Sequence, residues 1–201
     1  MTRYGMVIDL AACNACNTCT VTCKVKNGTP PGVHWRRVLE DEVGVYPSVR
    51  RLFLPLACMH CGTPPCETTC PTGATQKRED GIVTIDYDLC VGCQACVVAC
   101  PYGVRFFHED RRSYFADRGS PVPWPLEGQA LPEGVVSKCD LCLDRVLDGR
   151  QPACVENCPT SALHFGDLGD PRSGVCLLIA ARKGRQLFRE KGTDPSVYYV
   201  D

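Results

Sequence analysis

The sequence predicts an α+β chain of short strands, short helices and long loops, organised as two similar modules. Three observations predict it. Sixteen of the 17 cysteines fall into four groups of four. A strand-like stretch at the same spacing precedes two of those groups. With 18 Gly, 16 Pro and only 7% aromatic residues in 201, the chain favours turns over a large apolar core. Something besides apolar packing must hold it together.

The groups come in order along the chain. The first is Cys13-x2-Cys16-x2-Cys19-x3-Cys23. The second is Cys58-x2-Cys61-x4-Cys66-x3-Cys70, followed by Pro71. The third is Cys90-x2-Cys93-x2-Cys96-x3-Cys100, followed by Pro101. The fourth is Cys139-x2-Cys142-x11-Cys154-x3-Cys158, followed by Pro159. Val7-Ile8-Asp9 stands four residues before Cys13 and Thr84-Ile85-Asp86 four residues before Cys90, each preceded by a glycine (Gly5, Gly81). Cys70-Pro71-Thr72-Gly73-Ala74 is echoed by Cys158-Pro159-Thr160-Ser161-Ala162. Two repeated units, each with one compact and one gapped quartet, explain both echoes.

The third group is the bacterial ferredoxin run, and the others vary its gaps. A looping backbone presents thiolates at i, i+3 and i+6 to three corners of an iron–sulfur cubane. The fourth cysteine then points away and serves a second cluster. Proline after it suits the first turn of a helix. Disulfides fit poorly, because tight CxxCxxC runs pair badly and such a scaffold needs an oxidising compartment. Zinc is a rival for the fourth group alone. It does not explain three further quartets.

These residues resemble the four-cluster electron-transfer subunits of molybdopterin oxidoreductases, the group that includes polysulfide, thiosulfate, dimethyl sulfoxide and respiratory arsenate reductases. Cys58-x-His60-Cys61, Pro64-Pro65-Cys66, Cys100-Pro101-Tyr102, Lys138-Cys139, Pro152-Ala153-Cys154, Gly166-Asp167-Leu168 and the closing Val197-Tyr198-Tyr199 carry the likeness beyond the cysteines. The resemblance implies two ferredoxin-like modules: 1–45 with 136–170, and 46–110. A Pro-rich loop (111–135) and a C-terminal helix with a docking tail (171–201) complete the chain. It implies four [4Fe–4S] clusters: Cys13, Cys16, Cys19 and Cys158; Cys23, Cys139, Cys142 and Cys154; Cys58, Cys61, Cys66 and Cys100; Cys70, Cys90, Cys93 and Cys96. Some relatives carry Trp at the position of Cys93 and hold a three-iron cluster there; this sequence keeps cysteine.

The resemblance also implies partners: a molybdenum or tungsten catalytic subunit and an integral-membrane, quinone-linked subunit. The chain itself is expected to bind no small-molecule substrate and to catalyse nothing alone; a freestanding polyferredoxin shuttle is the alternative. A net charge of -1 argues against nucleic acid. No run approaches the length of a membrane helix, and Asp9 interrupts any signal-like stretch. The expectation is a chain that neither anchors nor exports itself. It would sit peripherally on the cytoplasmic membrane, on the periplasmic face by co-export with a partner or on the cytoplasmic face.

Other residues carry weaker signals. Cys176, in an apolar stretch after Asp170-Pro171, reads as a buried structural thiol. His60 reads as a neighbour of the iron site, and His34, His108 and His164 lack an evident acid–base partner. Lys24, Lys138 and Arg145 flank the motifs, either offsetting cluster charge or solvated. Trp124, in the proline-rich stretch, reads as a partner anchor, and the polar tail after Lys183 as lying along another subunit.

Overall fold

A strand enters each compact cysteine run and a helix leaves it, as the repeat predicts. The computed structural model describes residues 1–110, 114, 125 and 130–201. β1 (Tyr4–Asp9) leads into the first run, and α1 (Thr18–Asn27) carries Cys19 and Cys23 out of it. β2 (Arg37–Val43) and β3 (Arg50–Leu56) make an antiparallel hairpin. α2 (Pro65–Thr68) holds Cys66, and β4 (Thr75–Lys77) pairs with β5 (Val83–Ile85). β5 leads into the third run, and α3 (Ala95–Ala99) carries Cys96 out of it. β6 (Phe106–His108) pairs with β7 (Val135–Ser137). α4 (Leu143–Leu147) follows Cys142, and α5 (Ala153–Glu156) holds Cys154. β8 (Leu163–Asp167), α6 (Gly174–Ala181), a 3-10 turn (Arg189–Lys191) and β9 (Val197–Val200) complete the chain.

The prolines after the fourth cysteines sit differently from expectation. Pro71, Pro101 and Pro159 lie in tight turns, not helices, closed by the N–H of Gly73, Gly103 and Ser161 on the carbonyls of Cys70, Cys100 and Cys158 at 3.1 to 3.3 Å. Proline suits the second position of such a turn because its φ is already set. The closing residue is left-handed in all three cases, which glycine tolerates best and Ser161 adopts at some cost.

β1 is the central strand of the sheet β8-β1-β9, antiparallel to β8 (Tyr4↔Asp167) and parallel to β9 (Met6↔Val197). The last residues therefore close on the chain's own N-terminal strand, where a docking tail was expected. Val-Tyr-Tyr-Val is a strand-forming run that buries Val197, Tyr199 and Val200. The Tyr199 hydroxyl donates to the Pro55 carbonyl at 2.9 Å, fastening this sheet to β3. On the other face Val7 and Val200 pack under α6 with Val175. α6 is capped by Ser173, whose hydroxyl accepts from the Cys176 N–H; Pro171 lies ahead of the helix. Cys176 is half-buried, its thiol directed at the Asp167 and Leu168 carbonyls.

One continuous core spans both expected modules, combining Cys19, Cys23, Cys139 and Cys154 with Cys58 and Cys61 around Trp35, Met59, Ile82 and Tyr102. Trp124 and most of the proline-rich stretch lie outside the described residues. Among the described residues no helix is long and apolar enough to cross a membrane.

Candidate iron–sulfur centres

The structure gathers the sixteen grouped cysteines into four sets, and each set draws on two different runs. Cys70, Cys90, Cys93 and Cys96 line one small pocket. Cys58, Cys61, Cys66 and Cys100 line another. Cys13, Cys16, Cys19 and Cys158 line a third. Cys23 on α1, Cys154 on the α5 packed against it, and Cys139 and Cys142 ahead of α4 are all buried and within electrostatic reach of one another. Every cysteine is a free thiol.

Two features suit these sets to a multi-iron group. Each set brings together four thiols from two separate runs, three of the sets around a pocket. Backbone N–H groups also point at sulfur: Ala162 N–H to Cys158 Sγ (3.3 Å), Leu141 N–H to Cys139 Sγ (3.4 Å) and Val136 N–H to Cys90 Sγ (3.5 Å). Such bonds stabilise sulfur-borne negative charge.

The loops achieve this through left-handed backbone. The residue before the second cysteine of every run has positive φ: Ala15 (57°), His60 (42°), Gly92 (66°) and Leu141 (59°). Three of these are not glycine, a cost of roughly 1–3 kcal/mol each that clusters at functional sites. Nothing in the residue types at these positions announces it. Gly92 differs, because a Cβ there would collide with the Gly134 carbonyl oxygen. Gly92→Ala is therefore expected to cost more than Gly149→Ala, which is also left-handed (73°) but opens onto free space. Thermal unfolding of the two variants measures the difference; equal midpoints contradict the close approach.

Burial works against ionisation of eight thiols. It pushes Cys61 up to about 12, Cys66 up to about 11 and Cys142 up to about 11, and raises Cys13, Cys19, Cys96, Cys23 and Cys139 as well. Three thiols go the other way: Cys16 and Cys70 are lowered by hydrogen bonds from nearby Thr18 and Thr72 and from backbone N–H groups, and Cys58 is lowered furthest. Burial raises it, but His60 and Lys138 overcome that and bring it down to about 5. His60 is buried, and its Nδ1 accepts the Val83 N–H at 3.0 Å.

Of the residues with two readings, Lys138 is fully buried, its Nζ donating to the carbonyls of Val83 and Cys139. Arg145 bonds Glu156 and the Gln151 carbonyl at the surface. Lys24 donates to the Val33 carbonyl at 2.7 Å. His108 does have a partner, Ser137, whose hydroxyl also accepts from Trp35 Nε1 at 2.8 Å. Two buried arginines, Arg36 and Arg105, escaped sequence reading; neither adjoins a cysteine, and long-range contacts alone bring them to the thiols.

Four sets of four thiols, three of them around a pocket, define a multi-cluster iron–sulfur protein. The model of the 4Fe-4S dicluster domain matches residues 49–117 and 111–168. The chain is 45% identical to a protein of Halobacterium salinarum named as an iron–sulfur subunit of dimethyl sulfoxide reductase, over all of this chain and 80% of that protein. It is 43% identical to a selenate reductase subunit of Mesobacillus selenatarsenatis, over 98% of this chain and 72% of that one. The iron–sulfur subunit of arsenate respiratory reductase from a Shewanella species is 36% identical, over 98% and 96%. The chain belongs to the 4Fe-4S dicluster domain family, and its work is electron transfer.

Proposed function

We propose that this chain relays single electrons between a molybdopterin catalytic subunit, with molybdenum or tungsten, and a quinone-linked membrane subunit. The observation that carries the reading is the exposure pattern of the four sets. Cys16 and Cys93, one in each of two sets, are exposed, whereas every cysteine of the Cys23 set and three of the four in the Cys58 set are buried. Two accessible ends joined through a closed middle suit a wire between two partners. The relatives' names as reductase subunits support the first partner. The second partner, and a place on the periplasmic face of the membrane, are proposed from the resemblance in sequence.

The four sets act as the proposed cluster ligands. When bound, the clusters accept and give up one electron at a time. This chain's residues hold them. Sixteen thiolates bind iron, the left-handed loops aim N–H groups at the sulfurs, and the continuous core excludes water from the two central sites. Burial and these N–H groups tune the potentials. Four irons in each of four sites predict about sixteen irons, with as many labile sulfides, per anaerobically prepared chain. A value near half of that, or stoichiometric zinc, refutes the assignment. Stoichiometric copurification with a large molybdopterin protein is expected; a chain isolated alone from native membranes and cytoplasm is instead a shuttle.

A further inference from the structure

Four thiol sets in one chain leave three gaps, and a buried cation stands in each. Arg36 is 2% exposed. Its Nη2 donates to Met6 Sδ at 2.8 Å and lies 3.8 Å from Cys154 Sγ. Its charge acts on Cys13 and Cys19 of one set and on Cys23, Cys139 and Cys154 of the next. Arg105, 4% exposed, lines both the Cys58 cavity and the Cys70 cavity, with Nη2 donating to Thr75 Oγ1 at 2.7 Å. Lys138, 2% exposed, joins the carbonyl of Cys139 (3.0 Å) to that of Val83, a wall of the Cys58 cavity.

None of the three pairs with a carboxylate among the described residues. Nε and Nη1 of both arginines are buried without a partner. A buried cation with unmade hydrogen bonds and no counter-ion is strongly destabilising, so the fold must receive negative charge there from elsewhere. Thiolate-bound clusters would supply it, together with sulfur acceptors for the orphaned N–H groups.

We infer that Arg36, Lys138 and Arg105 are potential-setting residues, each stabilising the reduced state of the two clusters between which it lies. The inference rests on the cluster reading above. An electron arriving at a cluster adds negative charge, and a cation in a low-dielectric gap lowers its energy. Because one cation faces both sides of its gap, an electron crossing keeps nearly the same attraction throughout.

The test uses the full chain with its partners, in the variants Arg36→Gln, Arg36→Lys, Arg105→Gln and Arg105→Lys, with iron counted and midpoint potentials read by EPR-monitored titration. A parent chain short of iron overturns the cluster reading and says so before any variant is made. With full iron, Arg36→Gln is expected to shift the reduction equilibrium at least tenfold, about 59 mV downward for one electron, in the same two clusters that Cys16→Ser and Cys23→Ser perturb. Arg105→Gln is expected to shift the two that Cys66→Ser and Cys93→Ser perturb. The lysine variants, which keep the charge, should stay within a few-fold of the parent. Unmoved potentials, all four moving alike, or lysine variants shifted as far as glutamine overturn the inference. Should glutamine cost iron, lysine variants with full iron and parental potentials support it. Loss of iron in both substitutions overturns it, because shape and not charge is then what the site needs.

Discussion

Stripping iron from this chain with a chelator is expected to abolish its cooperative unfolding transition, a loss on the scale of a whole domain's stability, roughly 5–15 kcal/mol. The elements themselves explain the size of the effect. α2 and α5 have four residues and α3 and α4 five, far below the length at which a helix persists alone. Among the described residues three of the four sheets have only two strands, which are marginal in water. Cysteines make up much of the shared core, so its interior is organised around their sulfurs. Burial also holds Cys23 and Cys139 strongly as neutral thiols when no metal is present. Metal must displace those protons, and its binding free energy becomes folding free energy. The buried Arg36 and Arg105 reinforce the dependence, since removal of the clusters leaves them uncompensated. Limited proteolysis with circular dichroism reads the outcome. The sheet β8-β1-β9, which joins both chain ends, is expected to be the last part to resist cleavage. A chelated chain with native protease resistance throughout contradicts the argument.

What the sequence made legible was whatever iron chemistry imposes on local spacing. The four runs, the strand ahead of Cys13 and Cys90, and the α+β character all follow from residues within a few positions of one another. The strand β9 was not legible. Val197 to Val200 has the composition of a strand, but its partner β1 lies almost the whole chain away, and no local pattern marks that pairing. Arg36 and Arg105 were invisible for the same reason, because charged residues read as surface until tertiary contacts bury them. The strained loops illustrate a different limit. Glycine at 92 hints at left-handed backbone, whereas Ala15, His60 and Leu141 adopt it against their own preference, stabilised only once the site is assembled. The hairpin β2–β3 spans the expected boundary at residue 45, and the core runs through it, so the two repeats share an interior.

The last expectation concerns which cysteines share a cluster. Cys23→Ser should alter the signal of the site built on Cys139, Cys142 and Cys154 and leave the Cys13 site, only four residues away from it along the chain at Cys19, nearly intact. Cys23 lies on α1, buried at the face that meets α5. Its thiol feels Cys154 and Cys142 directly, and Asn27 Nδ2 donates to its sulfur at 3.4 Å. Cys19, one turn earlier on the same helix, turns to the cavity it shares with Cys13, Cys16 and Cys158. A single helix turn thus divides neighbouring thiols between two sites, because residues at i and i+4 are stacked along the axis roughly 6 Å apart. Serine offers a harder oxygen ligand that binds iron less well, so the affected site should lose an iron or shift its reduction equilibrium tenfold or more, about 59 mV per tenfold. Asn27 then loses its sulfur acceptor, adding to the shift. EPR of the variant beside Cys139→Ser identifies the site: the two should perturb the same signal. If Cys23→Ser instead perturbs the signal that Cys16→Ser perturbs, or one that Cys66→Ser perturbs, the assignment of the Cys23 set is wrong. In the assembled complex, the same variant should interrupt quinone-coupled turnover by orders of magnitude while dye-linked activity of the catalytic partner persists, because a wire broken in its middle leaves both ends chemically whole.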